Sequence, residues 1–248
     1  MHIQTVIDQL RSMRLTTMAE SLSQRLSTDD ADELEPAEFF ALLVEDEYQA
    51  RKRRKMERMV ARANFKPEQA TIENLLYEQA RGFSKKDIMR FTSSEWIEQG
   101  RNVIITGPTG SGKSYLAEAI GYRACLMGYA SQKIRYPILF EQIHSAKGTG
   151  QYLKYLAKMA KIRVLIIDDF LMNAVDARDG EALMDIIEEK EQAGSVIVTT
   201  QLPQKQWHSR LPDATIADAI CDRLVHTATH FNLKGESMRK NRPHYQPK

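Results

Sequence analysis

The chain of 248 residues is 42% hydrophobic and has a formal net charge of +2, which is typical of an ordinary globular protein with one medium-sized core and a small appendage. Its two cysteines, Cys125 and Cys221, lie far apart and outside any CxxC or His-rich pattern, which argues against a disulfide framework or a zinc site. The start of the chain has no secretory pattern and the longest aliphatic run, residues 164–167, is too short to span a bilayer, so we expect a cytoplasmic protein with no membrane partner.

The first part of the chain, to about residue 80, has helical periodicity. Apolar residues recur at helical spacing in residues 3–10, and Thr17 with Glu20 matches a capping box at the start of a second helix. Residues 27–35 are expected to form an acidic loop. A proline then suits the first turn of a long helix over residues 36–63.

The long helix carries two blocks of opposite charge. Acids dominate residues 20–47 and cations dominate residues 51–66, where Glu57 is the single acid. At about 100° per residue, cations of the second block form one stripe and apolar side chains form another. Such a stripe suits DNA phosphate contacts without base specificity; the alternative is a solvated helix neutralised by the acidic block. The candidate DNA-binding residues are Arg51, Arg54, Lys55, Arg58 and Arg62.

Strands and helices alternate in the second part of the chain. Short helices are expected at residues 71–81, 84–90 and 93–99, and strands at 102–106, 130–135, 163–167, 195–199 and 229–233. This alternation predicts an α/β fold in which helices flank a parallel sheet, preceded by a small all-helical N-terminal domain. We place the domains at residues 1–68 and 69–248, the first for assembly and DNA contact.

A glycine-rich segment after the first strand matches the GxxxxGK[ST] pattern at every fixed position. Glycines let the backbone curl around phosphate oxygens, so that amides and the next helix N-terminus point at the anion. Lys113 adds positive charge at the β- and γ-phosphates, and the Ser114 hydroxyl completes Mg²⁺ coordination. The alternative is a plain turn before a helix. The expected nucleotide-binding residues here are Gly107, Pro108, Thr109, Gly110, Ser111, Gly112, Lys113, Ser114 and Tyr115.

Two carboxylates, Asp168 and Asp169, follow the aliphatic strand at residues 163–167. Ligands bind outside the carboxyl ends of strands in open α/β sheets. We therefore expect Asp168 to serve Mg²⁺ directly or from its second coordination sphere, and Asp169 to polarise the attacking water. The alternative is that one aspartate only caps the next turn.

Polar residues near two later elements complete the candidate site. Gln201 or Thr200, after the strand at residues 195–199, suits contact with the γ-phosphate or the attacking water, unless the segment is a simple turn. Arg223 lies beside Asp222 on an amphipathic helix, where it suits contact with a neighbouring subunit's γ-phosphate. Its alternative is a surface salt bridge with Asp222.

These elements, in this order, resemble the AAA+ ATPases, particularly the branch of the helicase loader DnaC and the initiator DnaA. The segments EYQARKRRKMERMVARANF, LIIDD, TTQLP, ICDRLVH and GESMRKNRP resemble the IstB family, ATPase helpers of insertion-sequence transposases, over essentially the whole chain. The resemblance implies Walker A roles for Lys113 and Ser114, Walker B roles for Asp168 and Asp169, the sensor-one position for Gln201 and the arginine finger for Arg223. Asp169 replaces a commoner glutamate, and this shorter carboxylate implies slow turnover. Gln201 stands where asparagine is frequent.

The chain after the last expected strand has only about fifteen residues, too few for the helical lid of many AAA+ proteins, so we expect no C-terminal lid. A lid normally supplies an arginine to the nucleotide. Arg239 is the candidate substitute here, and a solvated tail is the alternative.

The resemblance implies an ATP- and Mg²⁺-dependent ATPase, stimulated by assembly or DNA, that forms a homo-oligomer on double-stranded target DNA and assists a transposase in DNA transposition. The alternative is a DnaC-like helicase loader with single-stranded DNA and a helicase ring as partners. A P-loop kinase or GTPase is a different class, and the sequence lacks the NKxD motif of guanine recognition. A DNA clamp with a decayed site is a third, against which the intact Lys113, Ser114 and Asp168 argue.

Overall fold

The computed structural model describes residues 2–28, 34–66, 70–77, 82–235 and 237–238. Its contacts divide the chain into two compact units, residues 1–58 and 59–248. The sequence-based domains at residues 1–68 and 69–248 stay a prediction. In the described part of the chain, no helix is long and apolar enough to cross a membrane.

The first unit is helical, as predicted. It contains α1 (Ile3–Ser12), α2 (Thr16–Leu26) and most of α3 (Pro36–Arg62), which begins at the expected proline. One apolar side of each helix is buried, as amphipathic helices require. The small core consists of Ile7, Met18, Ala19, Leu22 and Leu43.

The capping box predicted at the start of α2 is wrong. The helix begins at Thr16, and its N-cap residue Leu15 makes no side-chain cap. The buried Glu47 of α3 takes over this function, because its Oε2 accepts a hydrogen bond from the Met18 amide at 3.0 Å. Burial opposes ionisation of Glu47, but hydrogen bonds from Arg51 and from the Met18 amide hold its pKa below the ordinary value.

The second unit alternates strands and helices. In chain order its elements are α4 (Lys85–Met89), α5 (Glu95–Glu98), β1 (Val103–Thr106), α6 (Lys113–Leu126), β2 (Ser131–Arg135), α7 (Tyr136–Gly148), α8 (Tyr152–Ala160), β3 (Val164–Asp168), α9 (Ala177–Ala193), β4 (Ser195–Thr200), α10 (Ala214–Val225) and β5 (Thr229–Asn232). All five predicted strands are confirmed. The capping box of Ser84 and Asp87 starts α4 close to its predicted position.

The helix predicted at residues 71–81 is wrong for its described part. Residues 71–77 form turns, and residues 78–81 lie outside the described residues. Ile72 and Leu75 are buried in the core of the second unit, and the Tyr77 hydroxyl donates to the Ile72 carbonyl at 2.6 Å. Packing of these apolar side chains in a turn outweighs the local helical preference.

The five strands form one parallel sheet in the order β2-β3-β4-β1-β5. Alternate residues of β3 face the two hydrophobic cores on opposite sides of the sheet. Leu165 and Ile167 belong to the core that includes α7 to α10, whereas Val164 and Ile166 belong to the core that includes α4 to α6. The predicted α/β class, with helices on both faces of a parallel sheet, is confirmed. After β5, residues 233–235 and 237–238 form no α-helix, and the absence of a C-terminal lid stays a prediction.

The strand order determines where the candidate site lies. β1, β3 and β4 are neighbours, and Thr106 at the end of β1 pairs with Thr200 at the end of β4. The residues that follow these three strands therefore meet at one edge of the sheet, where ligands of open α/β folds bind.

Candidate nucleotide-binding site

The glycine-rich loop connects β1 directly to α6. Gly112 is the N-cap of α6 and has φ 96°, in the left-handed region that favours glycine. Gly107 has φ 149°, and a side chain there would stand 2.6 Å from the Leu233 carbonyl oxygen. The N-cap residue Gly112 has no side chain that could cap α6, and the N-terminus of this helix lies at the loop, as in other helix N-terminal phosphate sites.

Two side chains of the loop have the chemistry of a phosphate site. The Lys113 ammonium is buried and donates to the carbonyl oxygens of Gly107 and Pro108 at 2.9 and 2.8 Å, so it lies within the curve of the loop. The Ser111 Oγ is also buried, and no described residue gives it a hydrogen-bond partner. A buried donor of this kind fits an oxygen-rich ligand such as a phosphate.

The loop and the acidic strand end are in direct contact. The Ser114 Oγ donates to Oδ1 of Asp168 at 2.7 Å, and the Thr199 Oγ1 donates to the same oxygen at 2.5 Å. The Lys133 ammonium lies 2.8 Å from Oδ2. Burial opposes ionisation of Asp168, but the hydrogen bond and charge of Lys133, with the two hydroxyl donors, hold its pKa below the ordinary value.

The Ser114–Asp168 pair fits a magnesium ion. Mg²⁺ prefers oxygen ligands and usually combines one or two protein side chains with water and substrate phosphates. Within the described ranges, no group of three or more His, Cys, Asp or Glu side chains forms a complete metal cage. One hydroxyl and one ionised carboxylate beside a phosphate loop are the ligand set that Mg²⁺–triphosphate requires of the protein.

The structure places Asp169 just beyond β3 in a left-handed conformation with φ 60°. Its amide donates to the Thr199 Oγ1 at 3.2 Å, so Thr199 contacts both aspartates. Thr199 was missed by the sequence analysis. Its position beside the predicted sensor residues was visible, but its orientation depends on the pairing of β3 with β4.

Thr200 and Gln201, the two alternatives after β4, have different surroundings. Thr200 is buried, and its hydroxyl donates to the Phe170 carbonyl and accepts from the Leu202 amide. Gln201 is exposed, and its Oε1 accepts from the Thr109 Oγ1 of the glycine-rich loop at 2.9 Å. The geometry brings Gln201, and not the Thr200 side chain, to the loop.

Arg223 is not brought to the loop of its own chain. Its backbone carbonyl accepts from Asn102, which precedes β1, whereas the glycine-rich loop follows β1 at the opposite end. Its guanidinium lies 3.1 Å from Glu191 and 3.8 Å from Glu188 of α9. The alternative salt bridge with Asp222 is therefore wrong; Asp222 instead lies 3.4 Å from His226.

The remaining predicted residues lie elsewhere. Tyr115 packs partly buried against the core beneath α6, and Arg239 lies outside the described residues. The candidate DNA-binding side chains on α3 are all exposed. Arg51 donates to Glu47 and to the Arg14 carbonyl, and Arg54 donates to Thr17.

Comparison with known proteins gives a consistent result. The family model described as IstB-like ATP binding protein matches residues 8–245. The putative insertion sequence ATP-binding protein y4pL of Sinorhizobium fredii is 35% identical over 95% of this chain and 96% of its own length. The putative ATP-binding protein of insertion sequence IS21 from Pseudomonas aeruginosa is 27% identical over 96% of this chain and 88% of its own length.

Solved structures of low sequence identity share the fold. The DnaC helicase loader is 16% identical with a TM-score of 0.54, covering 66% of this chain and 97% of that one. The replication initiator DnaA bound to AMPPCP and single-stranded DNA is 15% identical with a TM-score of 0.57, covering 70% of this chain and 52% of that one. At these identities the likeness concerns the fold alone.

Proposed function

Because this chain belongs to the family of IstB-like ATP binding proteins, we propose that it is a Mg²⁺-dependent ATPase that assembles on double-stranded DNA and assists a transposase. The observation that best supports ATPase activity is the 2.7 Å hydrogen bond from Ser114 to Asp168, because it joins the end of the glycine-rich loop to an ionised carboxylate. The names of the relatives, which are insertion sequence ATP-binding proteins, support the link to transposition.

In the proposed reaction, water attacks the γ-phosphorus while the bond from that phosphorus to the oxygen of the leaving ADP breaks. The loop amides and Lys113 bind the β- and γ-phosphates; Ser114 and Asp168 would hold Mg²⁺, which would neutralise charge on the phosphates. Asp169 orients the attacking water and accepts its proton, while Gln201 contacts the γ-phosphate. These roles are supported by the contact of Gln201 with the loop, by the Ser114–Asp168 bond and by the bond from the Asp169 amide to Thr199. We propose slow turnover, because aspartate has a shorter reach than glutamate.

Self-association gives Arg223 its proposed role. Arg223 lies away from its own loop, so we propose that it reaches the γ-phosphate of a neighbouring subunit, where arginine fingers raise rates by roughly 10³- to 10⁵-fold. The first unit exposes an apolar stripe on α3, in which Phe40, Val44 and Tyr48 are 60%, 45% and 59% exposed. Such a stripe supports assembly between subunits.

DNA binding is proposed for the exposed cations of α3. Lys55, Arg58 and Arg62 recur at helical spacing on the same helix, and their side chains are exposed. Their row suits contacts with successive phosphates, which give affinity and salt dependence without base readout. Arg51 and Arg54 have partners within the first unit, so their phosphate contacts would replace those bonds.

Electron microscopy of the full chain with a long duplex tests this function. We expect ordered assemblies on the duplex with a non-hydrolysable ATP analogue and none with ADP. Arg58→Ala with Arg62→Ala should lower the slope of log affinity against log salt by about 2. The matched control is Lys154→Ala with Lys158→Ala, an equally spaced pair of exposed cations on α8. Binding restricted to single strands would instead indicate the helicase-loader function.

A further inference from the structure

Asp168, the proposed Mg²⁺ ligand, belongs to a buried trio of charged side chains. Lys133 of β2 places its ammonium 2.6 Å from Oε1 of Glu118 on α6 and 2.8 Å from Oδ2 of Asp168. All three side chains are at least nine-tenths buried. Burying such a trio costs desolvation that well-packed apolar residues would avoid, so stability alone does not account for it. Its lysine was not identified from the sequence as a site residue.

The same lysine and glutamate hold the segment of residues 63–66. The Lys133 amide donates to the Ala63 carbonyl at 2.7 Å, and the Asn64 side chain donates to the Lys133 carbonyl at 3.2 Å. The Lys66 amide donates to Oε2 of Glu118 at 3.2 Å. Five polar contacts, these three hydrogen bonds and the ion pairs of Lys133 with Glu118 and with Asp168, therefore connect this segment to the carboxylate that faces Ser114.

An aromatic contact also joins residues 63–66 to α6, the helix that follows the glycine-rich loop. The ring of Phe65 lies over Gly121 of α6, where an added side chain would come within 2.9 Å of it. Residues 63–66 directly follow α3, which ends at Arg62 and carries the candidate DNA-binding cations. The end of that helix is thus attached to the element that begins at Lys113.

We propose that Lys133 is a positioning residue that couples occupation of the magnesium–triphosphate site to residues 63–66. Lys133 holds Oδ2 of Asp168, and Oδ1 accepts from Ser114. A divalent cation held by Ser114 and Asp168 would offset the attraction of the Asp168 carboxylate for the ammonium, so the balance of the two ion pairs of Lys133 would move toward Glu118. A shift of Glu118 changes the hydrogen bond to the Lys66 amide. The consequence for DNA rests on the proposed function of α3.

Hydrogen exchange of the full chain tests this coupling without DNA. A non-hydrolysable ATP analogue with Mg²⁺ should change the exchange rate of the Lys66 and Lys133 amides by roughly tenfold, within the range of typical coupling between sites. Glu118→Gln, which keeps the shape but removes one charge of the trio, should abolish that change while analogue affinity by calorimetry stays within about threefold. The control, Glu98→Gln, removes the charge of another carboxylate that accepts a hydrogen bond, that from Tyr129, and should respond as the wild type does.

A second variant covers the case in which Glu118→Gln fails to fold. Asn64 has φ 59°, so Asn64→Gly keeps the backbone relaxed while it removes the side-chain bond to Lys133. It should leave analogue affinity unchanged and reduce the exchange response at Lys66. If the analogue leaves the exchange rates of both amides unchanged in the wild type, the coupling is overturned.

DNA affinity then separates this inference from the proposed function. If α3 binds DNA, the analogue should raise duplex affinity in the wild type and in Glu98→Gln, and the gain should fall about tenfold in Glu118→Gln. A normal exchange response in a chain that binds no duplex refutes the proposed function and retains the coupling. An unaltered gain in Glu118→Gln, with duplex bound, overturns the coupling and leaves the proposed function intact.

Discussion

The hydroxyl of Thr109 donates a 2.9 Å hydrogen bond to Oε1 of Gln201, joining the phosphate loop to the end of β4 across 92 positions of sequence. The Gln201 amide nitrogen also lies 3.6 Å from the Met172 sulfur, beyond β3. One side chain therefore contacts segments that follow two different strands. A ligand that displaces Thr109 would therefore alter its contact with Gln201, the residue proposed to contact the γ-phosphate.

A double-mutant cycle tests this contact. Thr109→Val and Gln201→Ala should each slow single-turnover ATP hydrolysis, and the double variant should be hardly slower than Gln201→Ala. The expected coupling is about 1 kcal/mol, the usual net contribution of a hydrogen bond. Thr149→Val, which removes another threonine hydroxyl bonded only to backbone carbonyls of α7, should leave the rate unchanged. Additive losses would show that the two side chains act independently.

Removing the loop ammonium should weaken triphosphate binding. Lys113→Ala should lower affinity for Mg²⁺–ATP by about 30- to 150-fold, because charge-assisted hydrogen bonds to phosphate contribute roughly 2–3 kcal/mol. Calorimetry measures the loss directly. Lys158→Ala, at an exposed position of α8, should bind as the wild type does. If folded Lys113→Ala gave the same heat of Mg²⁺–ATP binding as the wild type, the proposed role of the glycine-rich loop would be refuted.

The trans role of Arg223 predicts complementation between two inactive variants. Arg223→Ala and Lys113→Ala should each abolish assembly-stimulated hydrolysis. In random mixed assemblies about a quarter of the sites combine an intact loop with an intact neighbouring arginine, so activity should partly return. Glu191→Gln removes an intrachain partner of Arg223 but keeps the arginine, and should remain active. No recovery in mixtures that co-assemble would contradict the role.

Lys190 predicts an alkaline pH dependence of stability. Its buried ammonium donates to the Ala160 and Ile162 carbonyls, and burial, then the charge of Arg163, lowers its pKa from 10.5 to about 8. Between these values the unfolded chain binds more protons, so this group adds stability as pH rises and adds none below about 8.

Urea unfolding of wild type and Lys190→Met measures that contribution. From pH 7.5 to 9.5 the free energy of unfolding of the wild type should gain about 2 kcal/mol relative to the variant, at about 1.4 kcal/mol per pH unit of separate titration. Lys161→Met, at a neighbouring exposed lysine, should show no such gain. A constant difference between wild type and Lys190→Met would mean that Lys190 keeps its proton throughout this range.

The elements with strong local signals were predictable. All five strands were placed within about two residues, because aliphatic runs and glycine turns are features of adjacent residues. The phosphate loop belongs to the same class, since its chemistry lies in eight consecutive positions. The turn at residues 71–77 was predicted as a helix, because its conformation depends on where Ile72 and Leu75 pack.

The sequence by itself therefore determined the fold class and the residue types of the proposed phosphate-binding loop, since each depends on short-range pattern. Only the tertiary structure decided the partners of the charged side chains: Lys133 with Asp168, Glu47 with the Met18 amide, and Arg223 with Glu191. Charged groups act through distances of a few ångströms between residues far apart in the chain. Strand order and helix packing determine those distances, and neither can be read from the residues on either side.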